Sequence, residues 1–162
     1  ISKKKDISYI ETKNVKKFLT EACTNFFNEK PKNIIAVTGT NGKSSVADFF
    51  YQILSINKIS SSSIGTLGVK INKKFKNLKL TSPDIISLHA ELESLKKLKI
   101  DNVIIEASSH GLDQGRLNGL NIKAGIFTNF SQDHLDYHKS MAKYFKAKTI
   151  LFLNLMKKKK TI

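Results

Sequence analysis

A chain of 162 residues, 40% hydrophobic and 25% charged, is sized and composed for one soluble domain with a real core. Its longest apolar runs are too short to span a bilayer, no charged-then-apolar leader opens it, and one cysteine excludes an internal disulfide framework and fits a reducing, cytoplasmic setting. The net charge of +15 would suit nucleic acid, but Arg116 is the sole arginine and the lysines lie scattered without an aromatic platform, so the surplus reads as lysine bias that attracts small anions.

Residues 1–13 show no period, and the chain does not open on Met; they read as the remainder of an upstream segment. Val15, Phe18, Leu19, Ala22, Cys23, Phe26 and Phe27 recur at helical spacing and predict one helix with a single buried stripe, Cys23 in it as core. Pro31 closes that helix. Ile34 to Val37 form a short apolar run, the mark of a strand covered on both faces. After TGTNGKSS, the positions Val46, Phe49, Phe50, Ile53 and Leu54 return to helical spacing.

ISSSSIGTLGVKI and FKNLKL read as strands, with a hairpin turn around Asn72. Ser82-Pro83-Asp84 predicts a helix start, serine as cap and proline first inside, continued by Ile85, Leu88, Leu92, Leu95 and Leu98. NVIIEA and AGIFTN are two more strands, and a last helix is expected from about Ser140 to Leu155. Strands alternating with helices predict an α/β fold with a mostly parallel sheet flanked by helices.

Strand, glycine-rich turn, lysine, serine and helix follow one another in IIAVTGTNGKSS, the order a phosphate-binding loop requires. Gly39 and Gly42 let backbone N–H groups curl inward, the helix N-terminus adds positive potential, Lys43 can reach outer phosphates and the Ser44 hydroxyl can hold Mg²⁺. Val37 and Thr38 stand where the long form of the motif needs glycine, so only G-x-x-G-K-S remains. Such a loop needs an acidic partner at the end of a neighbouring apolar strand, and NVIIE supplies Glu106 at the carboxyl edge of the sheet. The competing reading of Glu106 is an exposed strand-end glutamate. In the last helix Lys148 falls on the apolar stripe of Met141, Tyr144, Phe145, Leu151, Phe152 and Leu155, where an unpaired ammonium is costly; either it snorkels out or it has a function.

TGTNGKSS, TSPD, EASSHGLDQGR and FTNFSQDHLDYH together resemble the Mur ligases, which join amino acids to the cell-wall precursor UDP-N-acetylmuramate with ATP. The match runs from about Lys32 to Phe152. It implies a P-loop-containing central ATP-binding domain over residues 32–162, residues 1–31 as the tail of a UDP-binding N-terminal domain or a linker, and an absent C-terminal domain. The implied activity adds a diamino acid to UDP-N-acetylmuramoyl-alanyl-glutamate through an acyl phosphate, and this stretch alone is expected to turn over little. Cofactors implied are ATP and Mg²⁺; no nucleic acid or membrane partner is expected.

Residue by residue, the resemblance implies that Gly39, Thr40, Asn41, Gly42, Lys43, Ser44 and Ser45 bind the ATP phosphates. It implies that Ser44, Glu106 and His134 hold magnesium. It assigns Thr81, Ser82, Ser108, Gln114 and Arg116 to the muramyl-peptide substrate, serine at 82 replacing a usual threonine. KAKTILF resembles the segment whose second lysine, here Lys148, is carbamylated and ligates a second magnesium. From spacing alone His134 reads as a surface or hydrogen-bonding residue, because Mg²⁺ prefers oxygen. His89 is expected to be structural and His110 to orient its loop. Two rival readings remain: a folylpolyglutamate synthase, which shares the phosphate loop, and a non-catalytic nucleotide- or nucleic-acid-binding module.

Overall fold

A computed structural model of the chain describes residues 10–71, 74–76 and 82–156. Helix α1 (Val15–Phe26) precedes strand β1 (Asn33–Thr38) and helix α2 (Lys43–Ile56). Strands β2 (Ser61–Gly65), β3 (Gly68–Ile71) and β4 (Lys74–Lys76) follow, then α3 (Ile85–Lys97), β5 (Asn102–Glu106) and α4 (Ser109–Asp113). β6 (Ile122–Phe127), α5 (Leu135–His138) and α6 (Met141–Ile150), the last running into a π-helical turn at Leu151–Leu155, complete the order.

The strands form one six-stranded sheet, β4-β3-β2-β5-β1-β6. β2, β5, β1 and β6 are parallel, and β3 and β4 add an antiparallel edge, as the alternation of elements predicted. Pairing of Val37 with Glu106, Thr38 with Phe127 and Ile64 with Ile105 aligns the carboxyl ends of the four parallel strands. Every motif of interest leaves the sheet along that edge.

Period-two alternation then assigns the faces. Ile34, Ala36, Val103 and Ile105 point into the larger core with Leu88, Leu92 and Leu95 of α3 and Leu112 of α4. Val37 and Ile104 point the other way, into a smaller cluster with Ala47 of α2. Glu106 shares the parity of Ile104, so its side chain emerges on the α2 side, where Ser44 lies.

Four local expectations are corrected. The α1 stripe buries only Cys23, while Val15 and Phe26 are 68% and 78% exposed; α1 leans on α3 from the periphery. Ser82 does not cap α3: Asp84 does, accepting from Ser87 N, because the Ser82 hydroxyl is turned inward toward β5. ISSSSIGTLGVKI is two strands, folded back at a two-residue turn between Gly65 and Gly68. The stretch after Glu106 is helical, with Ser108 accepting from Gly111 N as the cap of α4. The expected turn around Asn72 lies outside the described residues. Among the described residues no helix is long and apolar enough to cross a membrane.

Candidate nucleotide and metal site

The turn Gly39–Gly42 joins β1 to α2, and two glycines make it possible. Gly39 has φ +144°, and a Cβ there would sit 1.9 Å from Thr128 Oγ1; Gly42, at φ +81°, caps α2 from the left-handed region. Lys43, Ser44 and Ser45 form the first turn of α2, so their backbone N–H groups are the unsatisfied donors of a helix start. Lys43 Nζ folds back onto the carbonyls of Gly39 (3.0 Å) and Thr40 (2.8 Å). Burial pushes its pKa down, and Glu106 and Asp133 pull it back up.

Glu106 is 2% exposed. A carboxylate this deep needs donors, and it has them: Ser44 Oγ donates to Oε2 at 2.9 Å, Thr66 N to Oε1 at 3.1 Å, and Thr66 Oγ1 to Oε2 at 3.2 Å. The strand-end glutamate is therefore neither exposed nor distant from the loop. Two oxygen ligands side by side suit a hard cation that brings its other ligands on a phosphate and in water. Among the described residues no group of three or more His, Cys, Asp or Glu side chains is gathered to hold a metal.

Lys148 is 1% exposed, so it does not snorkel. Its Nζ donates to Gly39 O at 2.7 Å and lies 4.4 Å from the centre of the Tyr144 ring. Burial first, then the charge of Lys43, lower its pKa to about 8. Two ammonium groups thus share the carbonyl of Gly39.

His134 stands at the start of α5. Its contacts are Asp133, with Nε2 at 3.4 Å from Oδ2, the His110 ring at 4.9 Å and the Tyr144 ring at 6.0 Å. Tyr144 in turn touches the phosphate loop, its hydroxyl lying 3.2 Å from Thr40 Oγ1. Burial lowers the pKa of His110 and His138, each further lowered by a neighbouring histidine. His89 is buried with Nε2 2.9 Å from Asn118 O, a structural role as expected.

The residues assigned to a second substrate gather around α4. Ser82 Oγ donates to Glu106 O at 2.8 Å and lies 3.1 Å from Ser108 Oγ. Arg116 donates to Ser82 O and, through two nitrogens, to Gln114 Oε1. Thr81 lies outside the described residues.

Sequence reasoning passed over Thr66, Thr128, Asn129 and Ser131. Asn129 accepts from Asn41 N at 2.9 Å and from Thr40 N through its carbonyl, Ser131 N donates to Thr40 Oγ1, and Thr128 Oγ1 donates to Asn41 O. The segment after β6 thereby braces the phosphate loop. Its signal was the one used for Glu106: short polar side chains directly past the end of an apolar strand.

The chain is similar to known proteins over most of its length. The family described as Mur ligase middle domain matches residues 37–162. The chain is 43% identical over 150 residues to the UDP-N-acetylmuramoyl-L-alanyl-D-glutamate--2,6-diaminopimelate ligase of Bradyrhizobium diazoefficiens, covering 93% of this chain and 31% of that protein. It is 45% identical over 149 residues to the ligase of the same name from Rickettsia montanensis, covering 90% and 31%. A solved structure of a UDP-N-acetylmuramoyl-L-alanyl-D-glutamate--2,6-diaminopimelate ligase superposes with TM-score 0.74 at 35% identity, over 88% of this chain and 29% of that one. MurF ligase from Thermotoga maritima in complex with ADP superposes with TM-score 0.60 at 15% identity, over 91% and 32%, a likeness of fold. The chain therefore spans about a third of the length of such relatives.

Proposed function

The chain belongs to the Mur ligase family, and from that premise we propose that it is the nucleotide-binding part of an ATP-dependent ligase of peptidoglycan precursor synthesis. The acceptor we assign is UDP-N-acetylmuramoyl-alanyl-glutamate. The incoming amine is that of 2,6-diaminopimelate, the amino acid in the names of relatives 43% and 45% identical to this chain. The observation that carries the reading is the 2.9 Å contact between Ser44 of the phosphate loop and buried Glu106 of the adjacent strand.

A carboxylate is a poor electrophile, so amide formation needs activation. The γ-phosphoryl group of ATP moves to the terminal carboxylate of the dipeptide with ADP as the leaving group, and the amine then displaces phosphate from that acyl phosphate. In this scheme the N–H groups of Gly39 to Ser45 cradle the phosphates, and Lys43 exchanges its two carbonyl partners for phosphoryl oxygens. Nucleotide-borne Mg²⁺ would supply positive charge shared between phosphoryl oxygens, with Ser44 and Glu106 as the oxygen groups that receive it. We assign His134 to the same centre, on the family resemblance. Ser82, Ser108, Gln114 and Arg116 orient the muramyl-peptide, with Thr81 as their expected neighbour. Arg116 is suited to a carboxylate or phosphate by its planar fork. Residues 1–31 are read as the tail of a UDP-binding domain or as a linker.

Carbamylation of Lys148 belongs to this proposal. Only the neutral amine adds CO₂, forming the N–C bond of a carbamate and releasing a proton. A pKa near 8 leaves about a tenth of the side chain neutral at pH 7. The product is an anion beside Lys43, which replaces repulsion with attraction.

Calorimetric titration of the 162-residue chain with ADP tests the reading. Binding that strengthens with Mg²⁺ and weakens 10- to 100-fold in Lys43→Ala is expected, with little or no ligation by the chain alone. Nucleotide binding indifferent to Lys43, or none, would contradict it.

A further inference from the structure

Both groups proposed to receive the cation are engaged with each other: Ser44 Oγ donates to Glu106 Oε2. When a nucleotide-borne cation draws Ser44 Oγ away, the carboxylate loses that donor. What remains to hold it is the turn between β2 and β3. Thr66 N–H donates to Oε1 and Thr66 Oγ1 to Oε2, one residue gripping both oxygens of the same carboxylate. The preceding residue makes room for this. Gly65 is buried, and a Cβ there would stand 2.0 Å from Glu106 Oε1 and 2.3 Å from its carboxyl carbon. The carboxylate lies directly over the glycine, and the turn closes around its tip. Pairing of Gly65 with Gly68 makes this the tightest kind of hairpin, so the Thr66 donors come from a short, strand-anchored turn.

We propose that Thr66 is a positioning residue for Glu106: the Gly65-Thr66 turn fixes the carboxylate at the orientation it keeps when the Ser44 hydroxyl turns to a cation. The inference rests on the reading of Ser44 and Glu106 as metal-receiving groups and goes beyond it. It gives the β2–β3 hairpin a task in cation affinity, where pairing alone would give it only a place at the sheet's edge. A donor held to a ligating carboxylate sets its aim, and loss of such a partner characteristically costs 10- to 100-fold in metal affinity.

The test uses this chain and two titrants, ADP and Mn²⁺, each ADP titration run in excess Mg²⁺ and in EDTA. The quantity read is the enhancement of ADP affinity by Mg²⁺, supported by the electron paramagnetic resonance spectrum of Mn²⁺·ADP bound in place of Mg²⁺·ADP. Thr66→Val, nearly isosteric, is expected to cut the enhancement about tenfold, leave affinity in EDTA unchanged and alter the Mn²⁺ spectrum. Thr66→Ser is expected to restore the enhancement to within about twofold, since it keeps both donors. Glu106→Gln is the control for the underlying reading and should bring the enhancement close to one. A Thr66→Val protein with full enhancement, beside a Glu106→Gln protein that has lost it, overturns the proposal and leaves the ligase reading intact. Full enhancement in Glu106→Gln, or none in the unaltered chain, sinks both. Should Thr66→Val not fold, Thr66→Ala carries the same expectations. Failure of both to fold makes Thr66 a residue of hairpin stability and overturns the proposal.

Discussion

The two halves of the site are built differently. Gly39 to Ser45 and Glu106 hang from adjacent strands whose register is fixed along their length, and Glu106 is buried among three donors. The half that carries His134 follows β6 as a run of turns and a four-residue helix, α5; His134 itself has φ +52° and a side chain 45% exposed. The phosphate and carboxylate half is set by the sheet, whatever binds there. The imidazole half is held by edge-to-face ring contacts and by the grip of Thr128, Asn129 and Ser131 on the loop. A site that binds and releases a ligand can combine a fixed anion cradle with a softer flank.

Lys148 tests the fixed half most severely. Its pKa falls from near 10.5 when unfolded to about 8 when folded. Between those values the unfolded chain binds more protons, so stability rises with pH across that window, and the full penalty is present below pH 8. The difference corresponds to about 3 kcal/mol at most. In uncarbamylated protein, prepared free of CO₂, Lys148→Met should therefore raise stability at pH 7 and flatten its dependence between pH 8 and 10.5. Gly39 O keeps Lys43 as a donor in that variant. Thermal melts across this range check the claim, and an unchanged slope would break it.

Lys43→Ala comes next. Loss of a charged donor to phosphate should weaken ADP binding by 10- to 100-fold, about 1.5–3 kcal/mol, read by calorimetry. Stability should change little, because Lys43 Nζ bonds two backbone carbonyls, of which Gly39 O keeps Lys148 as a donor. Asn129→Ala removes the two-bond bridge to Asn41, and about 0.5–1.5 kcal/mol of stability should go with it, measured by urea unfolding. His134→Ala should be the mildest: within about 0.5 kcal/mol in stability, as for an exposed side chain, and without effect on ADP affinity in EDTA. A stability loss above about 1 kcal/mol there would erase the contrast between the two halves.

Much of this was readable in the residues. Apolar runs ending in polar clusters gave the parallel strands and put Glu106 beside the loop, because a strand's register and the parity of its side chains are set locally. Helix α3 was legible from Leu88, Leu92 and Leu95, all fully buried. What escaped depends on tertiary context. Ser82 has the chemistry of a cap, yet a buried carbonyl of Glu106 outcompetes the helix end for its hydroxyl. Val15, Phe18 and Phe26 have the spacing of a core stripe, but spacing does not say whether anything lies opposite. Thr66 looked like an ordinary residue of a strand-rich stretch. Its part depends on β2 lying beside β5, a pairing across 40 residues that no local pattern announces.

The most direct test of the account is the anomalous diffraction of manganese in crystals of this chain grown with Mn²⁺ and ADP. The expected peak lies between the nucleotide phosphates and the Ser44–Glu106 pair, about 2.1 Å from Ser44 Oγ. A manganese peak away from the 39–45 turn, with ADP bound there or elsewhere, would contradict the assignment of these two side chains to the cation.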